Sequence, residues 1–583
     1  MSEPWDLTAV EIVERIRARE LTAVDLVDAL LGRVTEIEPA VLAWATLDAE
    51  GAAAESWARD EQAATGTVRP LQGVPVGVKD IIDVAGLPTI AGFEPFRERV
   101  AARDAAVVAR LREAGAVIMG KTHTTQFAHG DPAPTLNPWN AERTPGGSSS
   151  GSAAAVAARM VPLAVGTQTA GSVLRPAAYC GVVGFKPGFN WVALDGVLPL
   201  AWSLDHVGLF ARTVEDVALA YRAVLGTADE PLPAPPDAPR FALLPEFLER
   251  ADPPVAEHLR DVAGRLRDAG ATVEERPLPV DLDLLLAVLH VIMASEVAAV
   301  HAEGLAADPE HYGPNLRIAI ETGQLIPAAY LVKARRLRRR IAAAVGAALA
   351  DVDAFLLPTV SNEAPYRRFT GDRSFQAPWT LLGTPAITLP TGLGAENLPI
   401  GTQLVARRGG DAALLALAAW AARTLGLLAP PEVRLPEPEP VAEELVEEPA
   451  AAESAEPAGE APGAEELPVG EAAAEAMTAE EGAAETVEPA GEPAREPEAP
   501  TAPAAGGLAA IELVAGEPGT VGETGVAPTG TAEAAEPTEP GESAEHARAR
   551  DLPAEAVVDE PEPESEPEHP GAPPTTPRPG EGD

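Results

Sequence analysis

Apolar positions along the chain recur with two different periods, and the changes between them mark out its elements. Over residues 5–65 the spacing is helical: Val10, Ile12, Val13 and Ile16 form one stripe, and Leu26, Leu30, Leu31 and Val34 a second. Residues 71–82, LQGVPVGVKDII, are β-branched and broken by Gly and Pro, which predicts a strand and a tight turn. DAAVVARLREA at 104–114 predicts a helix stopped by Gly115, and AVIMGKT follows as a buried strand. Helix and strand then alternate to about residue 225, the pattern of an α/β sheet. Residues 236–350 read as mainly helical, and within them the basic run KARRLRRR at 333–340 reads as a solvated helix face. Strands return at Ala354–Pro358, Ala386–Pro390 and Ile400–Val405, and a last helix is expected from Asp411 to Gly426. The most apolar stretches, Leu284–Ala294 and Ala412–Leu428, are too short or too charged to span a membrane and read as buried helices.

Composition changes the picture at one place. Residues 431–583 hold 39 of the 89 acidic residues and only 5 of the 43 Lys and Arg, so most of the net charge of −46 lies there. This segment of Pro, Glu, Ala and Gly has too little apolar surface to offset its ordering entropy, and a disordered acidic tail is expected after an enzyme domain at 1–430. One island in it, LAAIELVA at 508–515, is apolar and reads as chance within an Ala-rich repeat rather than as a docking motif. The acidic balance argues against nucleic acid, whose phosphates would be repelled. A single cysteine, Cys180, allows no internal disulfide, and the opening MSEPWDLTAVEIVERIRARE has no basic n-region or apolar h-region. The expected location is therefore the cytoplasm, with no membrane partner.

Two motif matches are rejected. GAVIMGKT at 115–122 fits a P-loop by letter, but its middle residues form a strand where a phosphate loop is required. GSSSG at 147–151 fits a nucleophile elbow around Ser149, but a Pro-containing loop leads into it instead of a strand. A serine–histidine mechanism would have to draw on His123, His129 or His206. The constellation that carries chemistry is GGSSSGSAAAVAARMVPLAVGTQTAGSVLRPAAYCGVVGFKPGFNW at 146–191. It combines a Gly/Ser loop, a small-residue helix at Ala153–Met160 and a second tight turn, GTQTAGS. There Thr169, Ala170 and Gly171 can aim consecutive N–H groups at one point, as a developing oxyanion requires, with Ser172 at the end.

This stretch strongly resembles the amidase signature family. The resemblance extends to GVPVGVKD at 73–80, NPWNAERTPGGSSSGS at 137–152, GVLPLAWSLDHVGLFARTVED at 196–216, GTPAITLPTGL at 383–393 and LPIGTQLVA at 398–406, and covers about residues 5–428. It implies an α/β fold: a central mixed twisted β-sheet flanked by helices on both faces, with N-terminal helices at 5–65, a catalytic core at 70–225 and a substrate-side helical region at 236–350. It implies Ser172 as nucleophile, Ser148 as bridging serine after a cis peptide bond, and Lys79 as general base. The backbone N–H groups of Thr169, Ala170, Gly171 and Ser172 would form the oxyanion hole, supported by Gly146, Gly147, Ser149 and Gln168, with Ser152 a further hydrogen-bonding support. Phe127 and His129 sit where the family lines its acyl pocket. No cofactor or metal is implied. The activity implied is hydrolysis of a small-molecule amide, with the glutaminase subunit of a tRNA-dependent amidotransferase and an idle scaffold with an acidic interaction tail as alternatives. A homodimer and a basic partner for the tail complete the expectations. The sequence departs from the family pattern at Gln168 for Asp, Ala170 for Gly and Leu174 for Arg, and again at Thr124, Thr125 and Gln126. Arg175 is expected in an extended segment, turned away from position 174.

Overall fold

The computed structural model describes residues 3–433 and 435. The acidic tail and the apolar island read from the sequence lie outside the described residues. Strands β1 (Trp44–Leu47), β2 (Pro75–Lys79), β3 (Val117–Thr122), β4 (Leu163–Gln168), β5 (Val183–Lys186), β6 (His206–Ala211), β7 (Arg240–Leu243), β8 (Thr272–Glu275), β9 (Ala354–Pro358), β10 (Ala386–Leu393) and β11 (Pro399–Val405) join in one 11-stranded sheet. Their order is β1-β3-β2-β4-β6-β5-β10-β11-β9-β7-β8. The sheet is mixed: β2 runs parallel to β3 and β4, and β7 parallel to β8 and β9, while the remaining pairs are antiparallel. Helices flank both faces.

Strand composition follows position. PVGVK of β2 and LAVGTQ of β4 are buried at every residue, as expected of strands covered on both faces, and so read as continuous runs instead of alternating ones. At the far edge β8 exposes Thr272, Glu274 and Glu275, and charges of this kind deter pairing with another chain.

Several elements differ from the sequence reading. β1 interrupts the N-terminal helices, because WATL is only four residues and pairs with β3 far along the chain. The region 236–350 contributes β7 and β8 to the sheet as well as helices. The buried helix read at Leu284–Ala294 is the middle of Leu282–Ala307, long and apolar enough by composition to cross a membrane. It buries 56% of its most apolar window and also Glu296 and His301, so its length serves the core. The GTQTAGS turn leads directly into a helix, Leu174–Cys180, so Arg175 is helical and not extended.

Candidate active site

Because β2 and β4 are adjacent and parallel, their C-terminal residues Lys79 and Gln168 lie at the same edge of the sheet. Open α/β sheets place ligands at such an edge. Lys79 is fully buried, with Nζ 2.6 Å from Ser148 Oγ and 2.8 Å from Thr167 Oγ1. Burial holds its pKa well below the usual lysine value, and the carboxylate of Asp205 opposes that shift.

Ser148 follows a cis peptide bond from Gly147. The turn before it needs glycine: Gly146 has φ +80°, and a Cβ there would stand 2.8 Å from Pro176 Cα. Ser149 then starts the helix Ser150–Ala157, whose residues are all buried. This helix reaches the sheet closely because Gly166 of β4 has no side chain; a Cβ there would stand 2.6 Å from Ser149 Oγ. Ser149 Oγ donates to Thr167 O (3.2 Å) and accepts from Thr167 N (3.3 Å), while Ser152 Oγ donates to Val165 O (3.0 Å). Both serines are therefore occupied in fixing this helix against β4.

The turn after β4 carries Ser172. Among the described residues, the N–H groups of Thr169, Ala170, Gly171 and Ser172 donate to no protein acceptor. Thr169 Oγ1 donates to Asp205 Oδ1 at 2.5 Å. The other oxygen of Asp205 accepts from the N–H groups of Leu200 (2.9 Å) and Ala201 (3.0 Å). Burial pushes Asp205 up to about 6 despite these bonds. Gln168 caps the next helix: its Oε1 accepts from Val173 N (2.9 Å) and Leu174 N (3.0 Å), and Nε2 donates to Thr380 Oγ1 (3.0 Å). Leu174 is buried and apolar. Arg175 faces back toward the Gly/Ser loop, giving Nη2 to Gly147 O (2.6 Å) and Nη1 to Gly371 O (2.7 Å).

Ser148, Thr169, Ala170, Gly171 and Ser172 line one cavity of about 260 Å³ with His129. Leu200, Met293 and the segment Thr370–Arg373 close it from the other side. Burial pushes His129 down to about 3, so the imidazole is neutral. Phe127 does not line this cavity. It packs with Phe93, Phe96, His301 and Tyr312 in an aromatic cluster, its ring being one of several that fill the core at this end. His206 Nδ1 contacts Leu204 O at 2.6 Å, and among the described residues none of His123, His129 and His206 hydrogen-bonds a serine hydroxyl. Lys121 of the rejected P-loop match lies within β3, paired with Asp80 at 2.9 Å.

Sequence reasoning missed Thr167 and Asp205. Asp205 stands in the block SLDHVG, so a signal existed; the partner of the Thr167 hydroxyl, Lys79, lies 88 residues away in sequence. The basic run is exposed, as expected, at Lys333, Arg335, Arg336, Arg339 and Arg340, and of its basic residues only Arg338 is half-buried. Arg338 gives Nε to Leu381 O (2.6 Å) and Nη2 to Ser203 O (3.1 Å), and Arg335 pairs with buried Glu296 (3.2 Å).

Fold and site fall in the class of carbon–nitrogen hydrolases built on a mixed α/β sheet. The family model described as Amidase matches residues 25–415, and the chain belongs to the amidase signature family. A glutamyl-tRNA(Gln) amidotransferase subunit from Roseiflexus sp. (strain RS-1) is 36% identical over 462 residues, which cover 70% of this chain and 94% of that one. An amidase of Pseudomonas putida is 36% identical over 435 residues, covering 68% and 92%. A crystal structure of an amidase, 32% identical, superimposes with a TM-score of 0.66 over 72% of this chain and 100% of its own.

Proposed function

We propose that this protein hydrolyses a carboxylic amide to the acid and ammonia or an amine through Ser172, Ser148 and Lys79. The observation that carries this reading is the 2.6 Å contact of Lys79 Nζ with Ser148 Oγ inside a site closed to water on the lysine side. A lysine acts as a base only when neutral. At a pKa of about 10.4, roughly one in 2,500 is neutral at pH 7, and burial raises that fraction.

In this mechanism neutral Lys79 accepts the Ser148 proton while Ser148 accepts that of Ser172. Ser172 Oγ attacks the amide carbon, and the oxyanion takes the N–H groups of residues 169–172, which have no protein acceptor to give up. Collapse expels the amine, which leaves with the proton returned through Ser148, and water then cleaves the acyl-enzyme by the same relay. Asp205 anchors the oxyanion turn through Thr169. Ser172→Ala and Lys79→Ala should each lower kcat by several orders of magnitude, and Ser148→Ala by less, because water can substitute in the relay. An active Ser172→Ala enzyme with an inactive Ser149→Ala enzyme would overturn the assignment.

A second reading is the glutaminase subunit of a tRNA-dependent amidotransferase, favoured by the name of the Roseiflexus relative. It uses the same groups on glutamine and passes ammonia to a partner. The purified chain alone, assayed with glutamine against a panel of amides, separates the two: turnover of other amides without a partner supports the first reading.

A further inference from the structure

Among the described residues, Arg373 is the one charged side chain on the cavity lining that makes neither a side-chain hydrogen bond nor an ion pair within the protein. Arg175 donates to the carbonyls of Gly147 and Gly371. Asp372, the lining carboxylate, accepts from the Ser374 N–H at 3.0 Å and from its hydroxyl. Arg373 makes no side-chain hydrogen bond and no ion pair with any described residue, although it is only part-exposed. It also stands close to the chemistry. A Cβ added at Gly171, the residue before Ser172, would lie 3.5 Å from Arg373 Cβ. The ionisable groups around it are its chain neighbour Asp372, an exposed carboxylate that favours the charged guanidinium without pairing with it, Arg175, exposed His290, and His129, which burial keeps uncharged. Burial lowers the Arg373 pKa, but an arginine starts so high that it stays charged at neutral pH.

A part-buried guanidinium without an acceptor is an unfavourable arrangement unless an anion supplies the missing bonds, and its planar fork matches a carboxylate. The cavity of about 260 Å³ lies below the volume usual for drug-sized ligands, so its occupant is short. We propose that the substrate amide carries its own carboxylate, bound by Arg373 while the amide carbonyl faces Ser172: a half-amide of a short dicarboxylic acid. This rests on the amidase reading and adds the substrate class.

The test compares succinamate, glutaramate and adipamate with their neutral counterparts butanamide, pentanamide and hexanamide, using the full-length protein. The wild type should favour the best carboxylate-bearing amide over its neutral partner by on the order of 10- to 100-fold in kcat/KM, as a charge-assisted pair provides. In Arg373→Gln this ratio should fall to near one, mostly through KM for the anionic amide, and Arg373→Lys should retain part of it. A wild-type ratio near one, or a ratio unchanged in Arg373→Gln, overturns the proposal. If no amide of the series is hydrolysed, the amidase reading fails by itself, and binding decides this one. Glutarate should then raise the melting temperature of the wild type and not that of Arg373→Gln; no rise in the wild type overturns the proposal. Arg373→Lys serves both assays if the glutamine variant does not fold.

Discussion

Lys79, Ser148 and Ser172 are 69 and 24 residues apart in sequence, yet the two serines line one cavity and the buried lysine stands behind it, in contact with Ser148, because β2 and β4 end side by side. Their motifs were legible because glycines and serines surround them in fixed order. Thr167 was not, because its partner is Lys79, 88 residues away; the block around Asp205 was visible but its role was not, because its carboxylate acts on Lys79 through space and on Thr169 through one bond. The electrostatics at this scale make two predictions. The folded-state pKa of Lys79 is depressed, so activity should rise with pH as Lys79 loses its proton, and a flat profile from pH 6 to 9 would count against the base assignment. Between that depressed pKa and about 10.4 the unfolded chain binds more protons than the native one, so stability gained as pH rises should be larger in the wild type than in Lys79→Met, measured by denaturant unfolding. Asp205 favours the charged form of Lys79, and Asp205→Asn removes that influence. The acid limb of kcat/KM should move to lower pH in Asp205→Asn, while kcat falls because Thr169 loses a charged acceptor. An unmoved limb would mean that Asp205 only holds the turn.

Among elements, the helix Leu174–Cys180 shows where pattern reading stops. Seven residues after a Gly-rich turn carry no readable period, so whether Arg175 pointed toward or away from the Gly/Ser loop depended on a helix start that the sequence does not announce. Its first turn is held by Gln168, a neutral acceptor where the family carries Asp, and the buried Leu174 beside it replaces Arg. Leu174→Arg alone buries a cation without a partner, a change that costs about 3–5 kcal/mol when a pair is broken. Gln168→Asp alone keeps a carboxyl oxygen as acceptor for the Val173 and Leu174 N–H groups but leaves a buried charge and loses the bond to Thr380. The double substitution should recover part of the combined loss in a double-mutant cycle. Simple additivity would show that the two positions are uncoupled and that the neutral pair is drift. The same limit explains β1: four residues between helices, one buried and three half-buried, become a strand only because β3 lies beside them.

On the scale of the whole molecule, the long strands and the helical stretches were legible because their burial repeats along the chain, whereas the joining of β7 and β8 to the catalytic sheet depends on pairing with β9 more than 70 residues later. Every group named in the site lies between Lys79 and Thr380, within the span matched by the family. Removing residues 435–583 should therefore leave kcat/KM nearly unchanged and, given the composition of that segment, shift the melting temperature by less than about 5 °C, while solubility falls with the lost negative charge. A larger drop would mean that this segment packs on the enzyme. The central claim is that Ser172 forms the covalent intermediate, and one measurement reaches it directly: reaction of the intact protein with a fluorophosphonate, followed by peptide mapping by mass. The account predicts a single adduct on Ser172, absent from Ser172→Ala and slowed in Lys79→Ala. An adduct on Ser148 or Ser149, or no adduct at all in a folded and soluble protein, would contradict it.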